Sequence, residues 1–305
     1  MPLILDYNAA TNKESYMKKS LGINHETLYM GLLGYPLQHS FSVALQNQTL
    51  EKLSLNAVYL PLETRPGDLE TAVKAISCFR FVGVNVTIPF KESVMPLLQE
   101  ITPAAAEIGA VNVVKAGPGK PLIGYNTDGM GFMAALKEES IEPEGKKALI
   151  VGAGGGARAA AVSIAKAGLK YMEIYDRDIS KSIQLAQHIS QAGSGNTKIQ
   201  ILSEIRHLYK VEADLLINCT PVGMFPDIDQ NPLSDVVFTS PDTVLFDLIY
   251  NPQETRFMEM GRKQGLKAVN GLQMFIYQAA YSLSLLLEIP PPVEIMKSIM
   301  GDILA

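Results

Sequence analysis

Residues 149–158 read Leu-Ile-Val-Gly-Ala-Gly-Gly-Gly-Ala-Arg, an apolar run that breaks into glycine and continues as an alanine-rich stretch. A phosphate-binding turn between a strand and a helix needs this layout. Gly152 permits a tight bend, Gly154 lets the backbone approach a pyrophosphate, and small residues from Gly155 through Gly156 to Ala157 let the helix pack close to a sheet. The helix start then offers unpaired N–H groups to an anion. A second strand-like run, residues 171–175, ends at Asp176, about 20 residues on, where an acidic residue commonly meets the adenosine ribose. Glycine-rich turns are often only turns. Strand, turn, helix and acid in this order point instead to a dinucleotide site, and so to a chain that carries a hydride.

The chain has 305 residues, enough for two domains and a well-buried core. An apolar content of 47% and a charged content of 19% describe an ordinary globular protein rather than a disordered one. The net charge of −5 gives no electrostatic reason to expect nucleic acid or an anionic membrane as partner. The best membrane candidate, residues 274–287, is too short and contains Gln278, Ser282 and Ser284. No basic region followed by an apolar core opens the sequence, so no secretory signal is expected and a cytoplasmic location is. Cys78 and Cys219 lie far apart in sequence and are expected to be buried free thiols. His25, His39, His188 and His207 show no metal-ligand spacing, and no metal site is expected.

Residues 1–26 are polar and poorly patterned and read as an extension. From Thr27 the patterning predicts strands at 28–33, 56–62 and 82–88, with helices at 42–53 and 66–76 between them. This alternation implies a parallel sheet covered on both faces. A short helix to about Gln99, another at 103–107 and strand material at 111–115 follow. The run at 117–121 reads as a turn, and residues 126–137 as a helix leading into the second domain. Further strands are expected at 199–202, 215–218 and 244–247, with a polar loop at 190–197. The expected fold class is α/β with two domains. Residues 27–127, joined by C-terminal helices over 271–305, would form the substrate domain, and residues 128–270 a Rossmann-type dinucleotide-binding domain. A small substrate would sit in the cleft between them.

Three segments carry candidate chemistry. Ser40 and Ser42, two apart in an extended segment, point the same way at the mouth of a helix, where an anion is favoured. One of them could equally serve as the N-cap. Asn85 and Thr87 share one face of a buried strand, where polar groups need partners that a hydroxylated ligand would supply. Lys91, just beyond the strand, is an acid–base candidate or a solvated surface lysine. Asn126-Thr127-Asp128-Gly129 reads as a helix start, with Thr127 or Asp128 either capping it or, for Asp128, lying beside Lys91.

Taken together, these segments resemble the shikimate dehydrogenase family. Gly-Tyr-Pro…His-Ser-Phe-Ser, Val-Asn-Val-Thr-Ile-Pro-Phe-Lys, Gly-Ala-Val-Asn and Gly-Tyr-Asn-Thr-Asp-Gly occur in family order. So do Gly-Ala-Gly-Gly-Gly-Ala-Arg, Asn-Cys-Thr-Pro-Val-Gly-Met, Asp-Leu-Ile-Tyr-Asn-Pro and Gly-Leu-Gln-Met-Phe-Ile-Tyr-Gln-Ala. The resemblance runs from about Tyr29 to the C-terminus. It implies NAD(P)-linked reduction of 3-dehydroshikimate to shikimate in aromatic amino-acid (chorismate) biosynthesis, by a monomer or homodimer. It also implies residue roles. Ser40 and Ser42, assisted by Tyr250, would hold the carboxylate. Asn85, Thr87, Asn112, Asp128 and Gln278 would bond ring hydroxyls, and Lys91 with Asp128 would be the catalytic pair. Gly152, Ala153, Gly154, Gly155, Gly156, Ala157, Arg158, Asp176, Arg177, Thr220 and Met224 would line the cofactor, with Gly271 near the nicotinamide.

There are departures. Where the family often has Pro-x-x-His-Asn after the serines, this chain has Val43-Ala-Leu-Gln46-Asn47. Where NADP-using members commonly carry Asn-Arg-Thr-x-x-Arg, it has Asp176-Arg177-Asp178-Ile-Ser-Lys181. A carboxylate at Asp176 suits the free ribose hydroxyl of NAD and repels a 2′-phosphate, so the expected cofactor is NAD or NADP with a lean to NAD. Two other functions fit the resemblance: a quinate/shikimate dehydrogenase of quinate degradation, and a non-catalytic shikimate-binding regulatory module. Keeping both Lys91 and Asp128 argues against the module.

Overall fold

The computed structural model describes residues 22–38, 40–192, 196–205, 209–233 and 236–305. The expected N-terminal extension lies outside the described residues through residue 21, as do His39, His207 and residues 193–195 of the expected polar loop. In chain order the first part holds β1 (Leu28–Gly34), α1 (Ser42–Lys52), β2 (Ala57–Glu63), α2 (Leu69–Cys78) and β3 (Phe81–Val86). Then come β4 (Glu100–Ile101), α3 (Pro103–Ile108), β5 (Val113–Lys115), β6 (Ile123–Tyr125) and α4 (Asp128–Glu138). The second part holds β7 (Lys147–Val151), α5 (Gly155–Lys166), β8 (Tyr171–Tyr175), α6 (Ile179–Gln191), β9 (Lys198–Leu202), β10 (Lys210–Val211) and β11 (Leu215–Asn218). It ends with β12 (Val237–Phe238), β13 (Val244–Asp247), α7 (Arg256–Lys263), β14 (Lys267–Val269), α8 (Leu272–Leu287) and α9 (Val293–Leu304).

The first sheet runs β2-β1-β3-β5-β6-β4. Alternation along β1 sends Met30 and Leu32 to one face and Leu33 to the other. Met30 and Leu32 pack under Phe275, Ala279 and Leu283 of α8 and Met296 and Met300 of α9. Leu33 joins Val84 and Val86 under Leu69, Val73 and Ile76 of α2. The sheet is not wholly parallel, as the alternation of elements implied. β5 runs antiparallel to both β3 and β6, with Asn85 opposite Val113 and Val113 opposite Tyr125. That reversal has a consequence for the site. The start of β5 and the end of β6 lie at the same edge as the ends of β1 and β3, so Asn112 and Asp128 come level with Thr87 and Lys91.

The second sheet is parallel, in the order β14-β13-β11-β7-β8-β9. Counted within this part, that is the strand order of a doubly wound dinucleotide fold, whose ligand crevice opens where β7 and β11 part. Ala157, Ala159, Ala160 and Ala161 of α5 are fully buried against Ile150, Ile174 and Ile217. Alanine at these positions lets the helix lie close on the sheet. α4 joins the two parts. At Gly131 a Cβ would come 2.8 Å from the Gln278 nitrogen and 2.9 Å from the Met274 oxygen, so glycine is what allows α8 to press against α4.

Three local expectations are corrected. Residues 92–99 form turns and a single 3-10 turn at Met95–Leu97, where Pro96 has no N–H to extend a helical ladder back over residues 92–95. Neither Thr127 nor Asp128 caps α4: the Asn126 Oδ1 accepts the Gly129 N–H at 3.2 Å, and both expected caps turn elsewhere. Cys78 is exposed at the end of α2, where the helix surface faces solvent, whereas Cys219 is half-buried beyond β11. Burial and the nearby Asp247 push the Cys219 thiol well above its usual range, so it stays protonated.

Candidate active site

A cleft of about 190 Å³ lies between the two sheets. Ser40, Ser42, Asn85, Thr87, Lys91, Asn112, Asp128, Tyr250 and Gln278 all line it, as do Gly156 and Gly271 from the second part. Every residue expected to hold substrate therefore meets in one place.

Its polar centre is a buried ion pair. The Lys91 Nζ donates to Asp128 Oδ2 at 2.5 Å, with only 18% and 5% of the two side chains exposed. Asp128 Oδ1 accepts from the Asn112 Nδ2 at 2.9 Å, and Asn112 Oδ1 accepts the Thr127 N–H at 2.7 Å. With Asn112 as a second donor, the Asp128 carboxylate is fixed in place and can hold the lysine in one rotamer. The Lys91 backbone is fixed too: its carbonyl accepts the Val111 N–H at 2.7 Å. The Lys91 stem rests on Gly155 at the start of α5, where a Cβ would stand 3.0 Å from the Lys91 Cβ.

Behind this pair runs a hydrogen-bonded wall that the sequence did not announce. The Tyr59 hydroxyl donates to Asn85 Oδ1 at 2.9 Å, and Asn85 Nδ2 donates to the Ser282 Oγ at 2.9 Å. Ser282 in turn donates to the Gln278 carbonyl at 2.7 Å and lies 2.9 Å from the Thr127 hydroxyl. Asn85 was expected to need a ligand for its partners, but Tyr59 and Ser282 already supply them. Burial raises the Tyr59 phenol far above its usual range, so it remains a donor. Ser282 could have been found from its spacing, one helical turn after Gln278. Gln46 was visible as the departure after the serines. It lines the cleft one turn beyond Ser42, its Nε2 donates to the Ala279 carbonyl at 3.3 Å, and its Oε1 has no hydrogen-bond partner among the described residues.

At the opposite end stand three hydroxyls. Ser40 Oγ accepts the Ser42 N–H at 3.3 Å, so the capping and ligand readings of this serine coexist. Tyr250 stacks on Phe275 with ring centroids 4.3 Å apart and tilts against Phe41 at 5.9 Å. Burial pushes its phenol up to about 12, against the opposing pull of Ser40 and the Phe41 backbone. A protonated phenol and two serines are three donors with no competing acceptor charge, an arrangement suited to a carboxylate.

On the second sheet, the remaining expected residues gather at the strand ends. Gly152 takes φ +102, a left-handed conformation that favours glycine. A Cβ there would also meet Thr220 Cγ2 at 3.0 Å, which places Thr220 beside the turn across the β7–β11 crevice. The start of α5 carries no side-chain cap, and at Gly154 a Cβ would meet nothing within 4 Å. Free N–H groups facing open space suit a phosphate. The Asp176 carboxylate is anchored at the turn: its Oδ2 accepts the Ala153 N–H at 2.9 Å and its Oδ1 the Asp178 N–H at 2.9 Å. Thr220 is held by Asn218, whose Oδ1 accepts the Thr220 hydroxyl at 2.7 Å and whose Nδ2 donates to the buried Asp247 at 3.0 Å. Met224 is half-buried after Thr220, and Arg177 is exposed. The Arg158 guanidinium is buried and paired with Glu92, a residue of the Lys91 segment. Among the described residues, no group of three or more His, Cys, Asp or Glu side chains is placed to hold a metal ion, and no helix is long and apolar enough to cross a membrane.

Comparison with known proteins agrees with this architecture segment by segment. Residues 32–114 match the profile described as shikimate dehydrogenase substrate binding domain. Residues 134–252 match shikimate / quinate 5-dehydrogenase, and residues 271–300 the shikimate 5'-dehydrogenase C-terminal domain. The shikimate dehydrogenase (NADP(+)) of Syntrophomonas wolfei is 45% identical over 279 residues, covering 91% of this chain and 95% of its own. A crystallised shikimate dehydrogenase in complex with NADP+ superposes with a TM-score of 0.82 at 36% identity, over 93% of this chain and 98% of its own. The shikimate 5-dehydrogenase of Listeria monocytogenes, in complex with shikimate and NAD, gives 0.78 at 31% identity, over 92% and 98%. With this identity over nearly its whole length, and with each part of the fold matched in order, the chain belongs to the shikimate dehydrogenase family.

Proposed function

We propose that the chain catalyses the reversible NAD(P)-linked reduction of 3-dehydroshikimate to shikimate, a step of chorismate and hence aromatic amino-acid biosynthesis. The observation that carries this reading is the single cleft in which the Lys91–Asp128 pair faces three hydroxyl donors and opens onto the glycine turn. Ser40, Ser42 and Tyr250 hold the carboxylate by hydrogen bonds to its charge, each worth about 1.5–3 kcal/mol. Thr87, Asn112, Asp128 and Gln278 bond the ring hydroxyls, and Asn85 shapes the wall behind them. Residues 27–127 with 271–305 form the substrate domain and residues 128–270 the cofactor domain.

The uncapped start of α5, the open space at Gly154 and the acid at the end of β8 fit a nicotinamide dinucleotide, held by Gly152 to Ala157, Asp176, Thr220 and Met224 with Gly271 at its reactive end. Such a cofactor supplies the hydride that reaches the ring carbonyl carbon. Lys91 gives its ammonium proton to the carbonyl oxygen as negative charge develops there, and in the reverse direction takes a proton from the hydroxyl. Asp128 keeps Lys91 aimed and accepts from a neighbouring substrate hydroxyl. General acid–base assistance of this kind is worth ~10²–10⁴ in rate. The lean to NAD rests on Asp176, whose carboxylate is held at the lip of the turn by Ala153 rather than swung into solvent.

Mixing the protein with 3-dehydroshikimate and reduced cofactor tests the reading. Consumption of the reduced cofactor should match shikimate formed, mole for mole. A protein that binds shikimate and turns over neither ligand would be the binding module instead.

A further inference from the structure

Glu92 directly follows Lys91, and Arg158 lies on α5 one turn beyond Gly155. The Arg158 Nε stands 2.9 Å from Glu92 Oε2. The N–H is not aimed at that oxygen, so the contact is an ion pair rather than a hydrogen bond. The guanidinium also lies over Gly109 at the end of α3, where a Cβ would come within 3.2 Å of its Nη1. The arginine side chain is 9% exposed and the glutamate 45%. Two neighbouring residues of one loop, Lys91 and Glu92, therefore rest on two points of one helix, Gly155 and Arg158. A single contact would leave the loop free to pivot about it. Two contacts a turn apart remove that freedom. The helix concerned is the one whose start faces the cleft.

We infer that Arg158 is a positioning residue: by gripping Glu92 it locks the Lys91 segment onto α5, and so fixes the proton-donating ammonium relative to the cofactor side of the cleft. This rests on the reading of Lys91 as proton donor. A buried guanidinium already paired with a carboxylate keeps that pair, because separating the two leaves an uncompensated charge. The catalytic value of the lock lies in geometry, since a displacement of about 1 Å at reacting groups can cost ~10²-fold in rate.

The test uses Glu92→Gln, Arg158→Met and the double variant, each assayed by steady-state kinetics with shikimate and with cofactor. Glu92 is nearly half-exposed, where substitutions usually change little. On this inference Glu92→Gln nevertheless lowers kcat about tenfold or more, changes both KM values by no more than about threefold, and raises the solvent deuterium isotope effect on kcat. Arg158→Met has the same signature, and the double variant is no slower than the slower single one, since both act through one contact. A purely structural role would lower the melting temperature without the isotope effect. Should Arg158→Met fail to fold, Glu92→Gln alone decides. Wild-type kcat in Glu92→Gln overturns the inference, as does an Arg158→Met variant whose only change is a raised cofactor KM. Failure of the underlying reading is distinguishable, because Lys91→Ala would then keep its kcat while the Glu92 variant is still informative about loop order.

Discussion

Replacing Lys91 by alanine removes the cation from a pair in which Asp128 is 95% covered, since 5% of its side chain is exposed. The carboxylate keeps one side-chain donor, Asn112 Nδ2 at 2.9 Å. Breaking a buried pair from one side costs ~3–5 kcal/mol, and the partial exposure of Lys91 places this case near ~3. For a chain of this size, at roughly 2 °C per kcal/mol, the melting temperature should fall by about 6 °C. Turnover should fall by ~10² or more with a smaller effect on KM, the pattern of a group used mainly in the transition state. The two losses separate in the double variant Lys91→Met/Asp128→Asn. Removing both charges takes away the uncompensated carboxylate, so much of the stability returns while activity stays lost. Scanning calorimetry and initial-rate assays on the wild type, the single variant and the double variant measure both. A single variant with near wild-type kcat refutes the role of Lys91. A double variant less stable than Lys91→Ala refutes the electrostatic argument.

Three other outcomes follow from the same geometry. On the proposed carboxylate site, Ser40→Ala/Ser42→Ala removes two donors, so KM for shikimate should rise by ~10² or more while the cofactor KM barely moves; equal losses for both ligands would indicate damage to α1 instead. Asp176→Asn should shift the kcat/KM ratio toward NADP by about tenfold or more, because a carboxylate opposes a 2′-phosphate by ~4 kcal/mol per unit charge at 4 Å; an unchanged ratio would show that Asp176 does not read the ribose. Asp247 is buried and accepts from Asn218, Ile249 and Thr255, yet burial outweighs these bonds and raises its carboxyl from 3.8 to about 6. A raised acid pKa means the native state holds the proton longer than the unfolded chain. Stability from this group is therefore fully present below pH 4 and is lost as pH rises toward 6, by ~3 kcal/mol for a shift of about two units. Urea unfolding from pH 4 to 7 should show that decline in the wild type and not in Asp247→Asn.

Much of this was legible before the structure. Residues 215–218 and 244–247 are strands as the apolar runs indicated, and the glycine turn sits where Leu-Ile-Val-Gly placed it. Runs buried on both faces carry their own signal, because three consecutive apolar residues precede the polar strand ends Asn218 and Asp247. The short strands β4 and β6 carry none: two or three residues give no period to count, and whether β5 runs parallel or antiparallel depends on partners far away in sequence. The site residues could be read because their order matches a family. Their supports could not. Tyr59 on β2 and Ser282 on α8 look like ordinary core and helix residues until the fold sets both against Asn85. Arg158 belongs to the glycine motif by sequence, but α5 turns its side chain toward Glu92.

On the proposed function, this cleft oxidises and reduces the shikimate ring at the Lys91–Asp128 pair. The most direct measurement is a steady-state matrix of shikimate and quinate against NAD and NADP, with Lys91→Ala run alongside. Turnover of shikimate with at least one cofactor, a higher kcat/KM for shikimate than for quinate, and loss of both activities in the variant are expected. No turnover of shikimate with either cofactor, or a quinate kcat/KM exceeding that for shikimate, would contradict that function.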